Sequence, residues 1–167
     1  MKPPIQIVDE SDTIVAHKDR NDLDLDTDIY RVSALWVTNS RGEILLAQRS
    51  LKKNNAPGKW GPAVAGTVEE GETYESNIYK EAEEEIGLSG VDFKIEPKQR
   101  VSGERNYFVQ WYSAVIDKPI GQFQIQEDEV EKVAWVEKSA FIQNVRENPD
   151  QYVTTMPRSI EMFCGDD

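Results

Sequence analysis

The segment Gly66–Leu88, GTVEEGETYESNIYKEAEEEIGL, constrains this chain more than any other, because it sets eight glutamates into a stretch that reads as one helix. Thr73 is a favourable N-cap, Glu75 puts an acid in the first turn, and Gly87 supplies the stop, so the pattern predicts a helix over about 73–86. With about 100° between successive residues, Ile78, Tyr79, Ala82 and Ile86 share an apolar face, and Lys80, Glu81, Glu84 and Glu85 form a stripe beside it. Glu83 points elsewhere and, with Glu69 and Glu70, reads as a solvated acid. An acidic stripe is ordinarily a solvent face. Here the acids crowd the helix C-terminus, where negative charge is unfavourable, and only Lys80 offsets them, in the weaker orientation for such a pair. Local rules broken together mark a functional site. Carboxylates on one stripe suit a hard divalent cation, and Mg²⁺ prefers a few carboxylates, waters and substrate phosphates.

The rest of the chain supports a fold that can cover such a helix. YRVSALWVTN and EILLAQRS are β-rich runs around the turn NSRG, a hairpin. IQIVDESDTIVAHKD predicts an N-terminal hairpin over about 5–17, turning at Glu10-Ser11-Asp12. DRNDLDLDTD (19–28) reads as an acidic loop and lacks the glycine and terminal glutamate of a calcium loop. AVAG is a short strand entering the glutamate segment after a loop punctuated by Pro57-Gly58 and Gly61-Pro62. Strands follow near 91–102, 106–116 and 131–137, then helical patterns near 138–146 and 150–163, where Pro157 breaks or begins a turn. This order predicts an α/β fold, a mixed sheet sandwiched between helices, in one domain over residues 1–167.

Charge and composition exclude several functions. Nineteen Lys and Arg against 31 Asp and Glu give a net charge of -12, the wrong sign for nucleic acid or anionic lipid. The chain has no apolar run long enough for a membrane span and no signal-peptide core, and its single cysteine, Cys164, cannot form an internal disulfide. A cytoplasmic location is expected.

The glutamate segment resembles the Nudix box. The family pattern is a glycine, five residues, a glutamate, seven residues, then Arg-Glu, an apolar residue, any residue, Glu-Glu, any residue, Gly and an apolar residue. It lands on Gly66, Glu72, Lys80, Glu81, Ala82, Glu84, Glu85, Gly87 and Leu88, and departs only at Lys80, where the family has arginine. The resemblance implies the α/β/α Nudix fold and Mg²⁺- or Mn²⁺-dependent hydrolysis of a small-molecule diphosphate. It implies Glu81, Glu84 and Glu85 as metal ligands, with the carbonyl of Gly66 as a further one and Glu72 as a supporting acid. The general base is one of the box glutamates or a later acid, and QEDEVEKVAWV offers Glu127 and Glu129. Lysine at position 80 keeps the charge but cannot reproduce the arginine's forked hydrogen bonds.

The wider pattern is similar to the branch that includes isopentenyl-diphosphate isomerase, whose diphosphate-binding Arg and Lys match Arg49 and Lys53. The isomerase's catalytic cysteine would fall at Ala65 and two metal histidines at Thr67 and Tyr30, so isomerisation is the lesser alternative; a catalytically weak binding module is another. His17, the single histidine, reads as a strand residue. Trp36, Trp60, Tyr107 and Trp111 could stack on a base but read more simply as strand or core residues. Homodimerisation, common among similar proteins, is left open.

Overall fold

A computed structural model describes residues 2–165. Its organising strand is β3 (Ile29–Thr38), whose β-branched and aromatic residues are buried on both faces along much of its length. One face carries Leu35 and Val37, the other Ala34 and Trp36. β3 runs parallel to β8 (Tyr107–Val115) from Tyr30 opposite Tyr107 to Thr38 opposite Val115. Its other edge is divided among three antiparallel partners. β1 (Ile5–Val8) meets its start, β6 (Val64–Thr67) its middle, and β4 (Ile44–Arg49) its end.

That division shapes the molecule. β3 and β4 pair only beside their connecting turn, at Val37–Leu45 and Thr38–Ile44. Beyond it the two strands part: β6 takes the edge of β3, while β4 pairs with β5 (Trp60–Pro62) and β9 (Val130–Val136). β2 (Ile14–Lys18) pairs β1, completing the N-terminal hairpin, and β7 (Lys94–Val101) pairs β8. The turn of the β3–β4 hairpin is closed by Asn39, whose side-chain oxygen accepts from the N–H groups of Arg41 and Glu43, and Gly42 takes a positive φ of 79°.

Helices cover both faces. α1 (Tyr74–Ile86) buries Ile78, Ala82 and Ile86 against Leu35, Val37, Val64 and Tyr112. On the other face α2 (Lys138–Glu147) and α3 (Met156–Phe163) bury Phe141, Val145 and Met156 against Trp36, Leu46 and Trp111. The expected sandwich is the observed one. Its last helical segment is shorter than the pattern suggests: residues 149–151 form a 3₁₀ turn, and α3 begins only at Met156, with Pro157 in its first turn. Proline fits the first turn, where its missing N–H has no intrahelical partner, and disfavours helix before it. β5 forms despite Pro62, in a short strand of three residues. No helix of the described residues is long and apolar enough to cross a membrane.

Candidate active site

The start of α1 is held by a capping box. Thr73 Oγ1 accepts from the Ser76 N–H at 3.0 Å, and Ser76 Oγ accepts from the Thr73 N–H at 2.9 Å. At the other end Gly87 is left-handed at φ 68°, and the N–H groups of Gly87 and Leu88 reach the carbonyls of Glu83 and Ala82, both at 3.0 Å. The next two carbonyls are satisfied from a distant part of the chain: Gln124 N–H donates to Ile86 at 3.2 Å and Gln126 N–H to Glu85 at 2.9 Å. Gln126 then accepts from the N–H groups of Glu129 and Val130, which sets Glu129 beside the acidic end of the helix.

The carboxyls of Glu81 and Glu85, one helical turn apart, lie close enough to influence each other's ionisation. Glu85 is 8% exposed, and burial, reinforced by the charges of Glu81 and Glu129, pushes its carboxyl well above the ordinary range. Burial also raises Glu81; Lys80 opposes that rise and Glu84 adds to it. Gly66 makes room for the pair: a Cβ there would stand 2.5 Å from Glu81 Cγ. Glu84 itself is exposed.

Of the two later acids, Glu129 is drawn in and Glu127 is exposed on the loop. Lys53 Nζ is hydrogen-bonded to Glu129 Oε2, and Lys2 Nζ lies 3.5 Å from its other oxygen. Burial alone would raise the Glu129 carboxyl, but those lysines outweigh it and hold it below the usual range. Arg49, at the end of β4, donates to the Asn55 carbonyl at 2.9 Å; burial lowers its pKa, while Glu85 and Glu129 act to raise it. Both residues matched to diphosphate-binding cations thus border the acids.

Lys80 is the hub of a second set. Its Nζ lies 2.8 Å from Glu69, 2.9 Å from Glu72 and 3.6 Å from Glu81. Glu69 is 8% exposed, not the solvated acid the sequence suggested, and its other oxygen meets Arg20 at 3.1 Å. Glu72 accepts from the Glu69 N–H at 2.8 Å and from Asn77 Nδ2 at 3.3 Å, so its observed work is to brace the loop below Lys80. Asn77 was not singled out from the sequence. It is buried on α1, bonded to Ser33 of β3 and to the Thr67 carbonyl, and lies 3.1 Å from where a Gly66 Cβ would stand. An asparagine beside Ile78 on the apolar face of a helix is the signal that could have found it. Trp36 and Trp111 lie in the core against Phe163, Tyr107 rests on Tyr30, and Trp60 lies under Lys132. His17 is exposed on β2, 3.9 Å from Glu70.

Among the described residues no three His, Cys, Asp or Glu side chains close into a ready cation site. The donor chemistry nevertheless fits one: a buried carboxylate, Glu85, beside the half-buried Glu81, further acids on either side, and a glycine that leaves the approach clear.

The NUDIX domain family model matches residues 29–156, a span that takes in both acidic clusters. The chain belongs to the Nudix family. An uncharacterized Nudix hydrolase of Yersinia pestis is 31% identical over 132 residues, covering 79% of this chain and 71% of the relative. Isopentenyl-diphosphate Delta-isomerase of Klebsiella pneumoniae (strain 342) is 28% identical, covering 75% of this chain and 70% of its own length. Among solved structures, DR0079 of Deinococcus radiodurans superposes with a TM-score of 0.82 at 20% identity, over 96% of this chain and 99% of that one. This Nudix chain is a hydrolase by family, and its box helix is α1.

Proposed function

We propose that this single-domain Nudix chain is a cytoplasmic, Mg²⁺- or Mn²⁺-dependent hydrolase that opens the diphosphate linkage of a nucleoside diphosphate derivative or a similar small diphosphate. The observation that carries the reading is the close pair of acids Glu81 and Glu85, set between Gly66 and Glu129 with Arg49 and Lys53 alongside. Glu81, Glu84 and Glu85 would hold the cation, with the Gly66 carbonyl as a further ligand. When bound, a divalent cation there neutralises the diphosphate and lowers the pKa of water.

The chain's own groups do the rest. Arg49 and Lys53 grip phosphate oxygens through charge-assisted hydrogen bonds. When Lys53 turns to the substrate, Glu129 loses the partner that lowers its pKa and becomes a stronger base, ready to take the proton of the attacking water. Glu127, exposed, is the weaker candidate for that role. Glu72 and Lys80 hold Glu81 in place.

The test is a panel of nucleoside di- and triphosphates, nucleotide sugars, dinucleotides and isopentenyl diphosphate, with Mg²⁺ and with Mn²⁺. The expected result is metal-dependent release of phosphate or monophosphate, lost in Glu85→Gln. Double-bond migration without hydrolysis would instead favour the isomerase reading, for which Ala65, Thr67 and Tyr30 supply neither the cysteine nor the histidines.

A further inference from the structure

We infer that Arg20, in the loop after the N-terminal hairpin, is a positioning residue for Glu81, supplying through Glu69 and Lys80 the guanidinium that position 80 lacks. Its effect on the cation rests on the metal-site reading above; the linkage itself stands on the contacts.

An arginine at position 80 would fix neighbouring carboxylates with a planar fork, whereas the Lys80 ammonium is a point charge with no preferred plane. Its placement is therefore set by the acids around it. Glu69 at 2.8 Å and Glu72 at 2.9 Å hold Lys80 more closely than Glu81 does at 3.6 Å. Glu72 is already tied to the Glu69 N–H and to Asn77, which fixes it. Glu69 is the variable member. Arg20 takes its second oxygen at 3.1 Å, within a side chain only 11% exposed, so the Glu69 charge is divided between two cations.

Both ends of the Arg20–Glu69 contact are anchored. Arg20 opens the 3₁₀ turn Arg20–Asp22, capped by Asp19, which accepts from the Asn21 N–H at 2.9 Å. Glu69 is gripped through its backbone, where Gln6 of β1 donates to the Glu69 carbonyl at 3.0 Å and the Glu72 carbonyl at 2.7 Å. Without Arg20, Glu69 would draw Lys80 away from Glu81, and Glu81 would face Glu85 with less compensating charge.

The experiment is a cycle of Arg20→Ala, Lys80→Arg and their combination, with Arg20→Lys as the conservative variant. Mn²⁺ affinity is read by calorimetry, kcat and KM on the best diphosphate of the panel, and thermal unfolding on metal-free protein. Arg20→Ala is expected to weaken Mn²⁺ binding about tenfold, as loss of a group supporting a ligand typically does. It should lower kcat and leave KM nearly unchanged, because Arg49 and Lys53 are untouched. Arg20→Lys should retain most of both, and the loss from Arg20→Ala should shrink when position 80 already carries arginine. Equal losses in both backgrounds, or a fall in Tm with Mn²⁺ affinity unmoved, would overturn the inference. Should the wild-type chain bind no Mn²⁺, the metal-site reading fails by itself. The cycle in metal-free unfolding then decides the linkage: non-additive effects sustain it, additive ones overturn it.

Discussion

At Gly66 the approach to the acids depends on a missing methyl group. A Cβ would stand 2.5 Å from Cγ and 2.8 Å from Cδ of Glu81, and 3.1 Å from the Asn77 side-chain oxygen. Gly66→Ala should therefore displace Glu81 and cut turnover at least about tenfold, as the loss of a group that orients a ligand does, with a smaller effect on Tm. Glu85 is the converse case, a residue the metal-free protein would be more stable without. Its carboxyl is raised by burial and by Glu81 and Glu129, so the ionised form is disfavoured in the folded state. A raised folded value means stability that is present below the ordinary glutamate pKa and is lost as pH rises through the folded one. Metal-free protein should accordingly melt at lower temperature as pH climbs from the ordinary value through the raised one, with Mn²⁺ restoring Tm at neutral pH. Glu85→Gln should raise the metal-free Tm at neutral pH and abolish the Mn²⁺-induced increase, measured by calorimetric melting. A lower metal-free Tm in that variant would sink the account.

At the scale of elements, α1 is held at both ends by chemistry of different range. Its N-terminal capping box is local, and Thr73→Ala should cost about 1 kcal/mol in denaturant unfolding. Its C-terminus depends on a loop nearly forty residues downstream, where Gln124 and Gln126 satisfy the last carbonyls. The N-terminal hairpin is locked in a similar long-range way by Asp12, at the tip of the turn with φ 59°. Its carboxylate accepts from Arg31 at 2.8 Å, Lys98 at 2.6 Å and the Tyr74 hydroxyl at 2.9 Å, joining the hairpin to β3, β7 and α1. Burial would raise this carboxyl, but hydrogen bonds from Lys98, Arg31 and Tyr74 prevail and hold it below the ordinary aspartate value. With the folded value depressed, the stabilisation is present above the ordinary pKa and lost as pH falls through the folded one. Asp12→Ala should cost about 2 kcal/mol near neutral pH, because it removes the shared acceptor of Arg31, Lys98 and Tyr74, and should flatten the acid limb of the Tm–pH curve.

Across the whole molecule, what was legible in the sequence follows the range of the interactions involved. Gly66, Glu72, Lys80, Glu81, Glu84, Glu85 and Gly87 lie on one continuous strand, turn and helix, so the spacing of the helical acids alone implied a stripe, and hydrophobic alternation announced the strands that cover it. The partition of those acids was not legible. Glu69 looked solvated because its partners Arg20 and Lys80 come from separate elements, the first 49 residues away. Glu127 and Glu129 looked equivalent until the turn at Gln126, tied to the Glu85 carbonyl, turned Glu129 towards Lys53 and left Glu127 in solvent. The 3₁₀ turn before α3 reflects a proline whose position in the chain was plain but whose effect on the preceding residues depended on packing. The sequence by itself determined the helix and its acidic stripe, since these rest on backbone periodicity and caps within a few residues, and it carried the residue pattern that resembles the Nudix box. Only the tertiary structure decided which acids are buried, which are paired and which cation reaches them. Burial and charge pairing depend on distances through space, and the divergence of β3 from β4 brings those distances about.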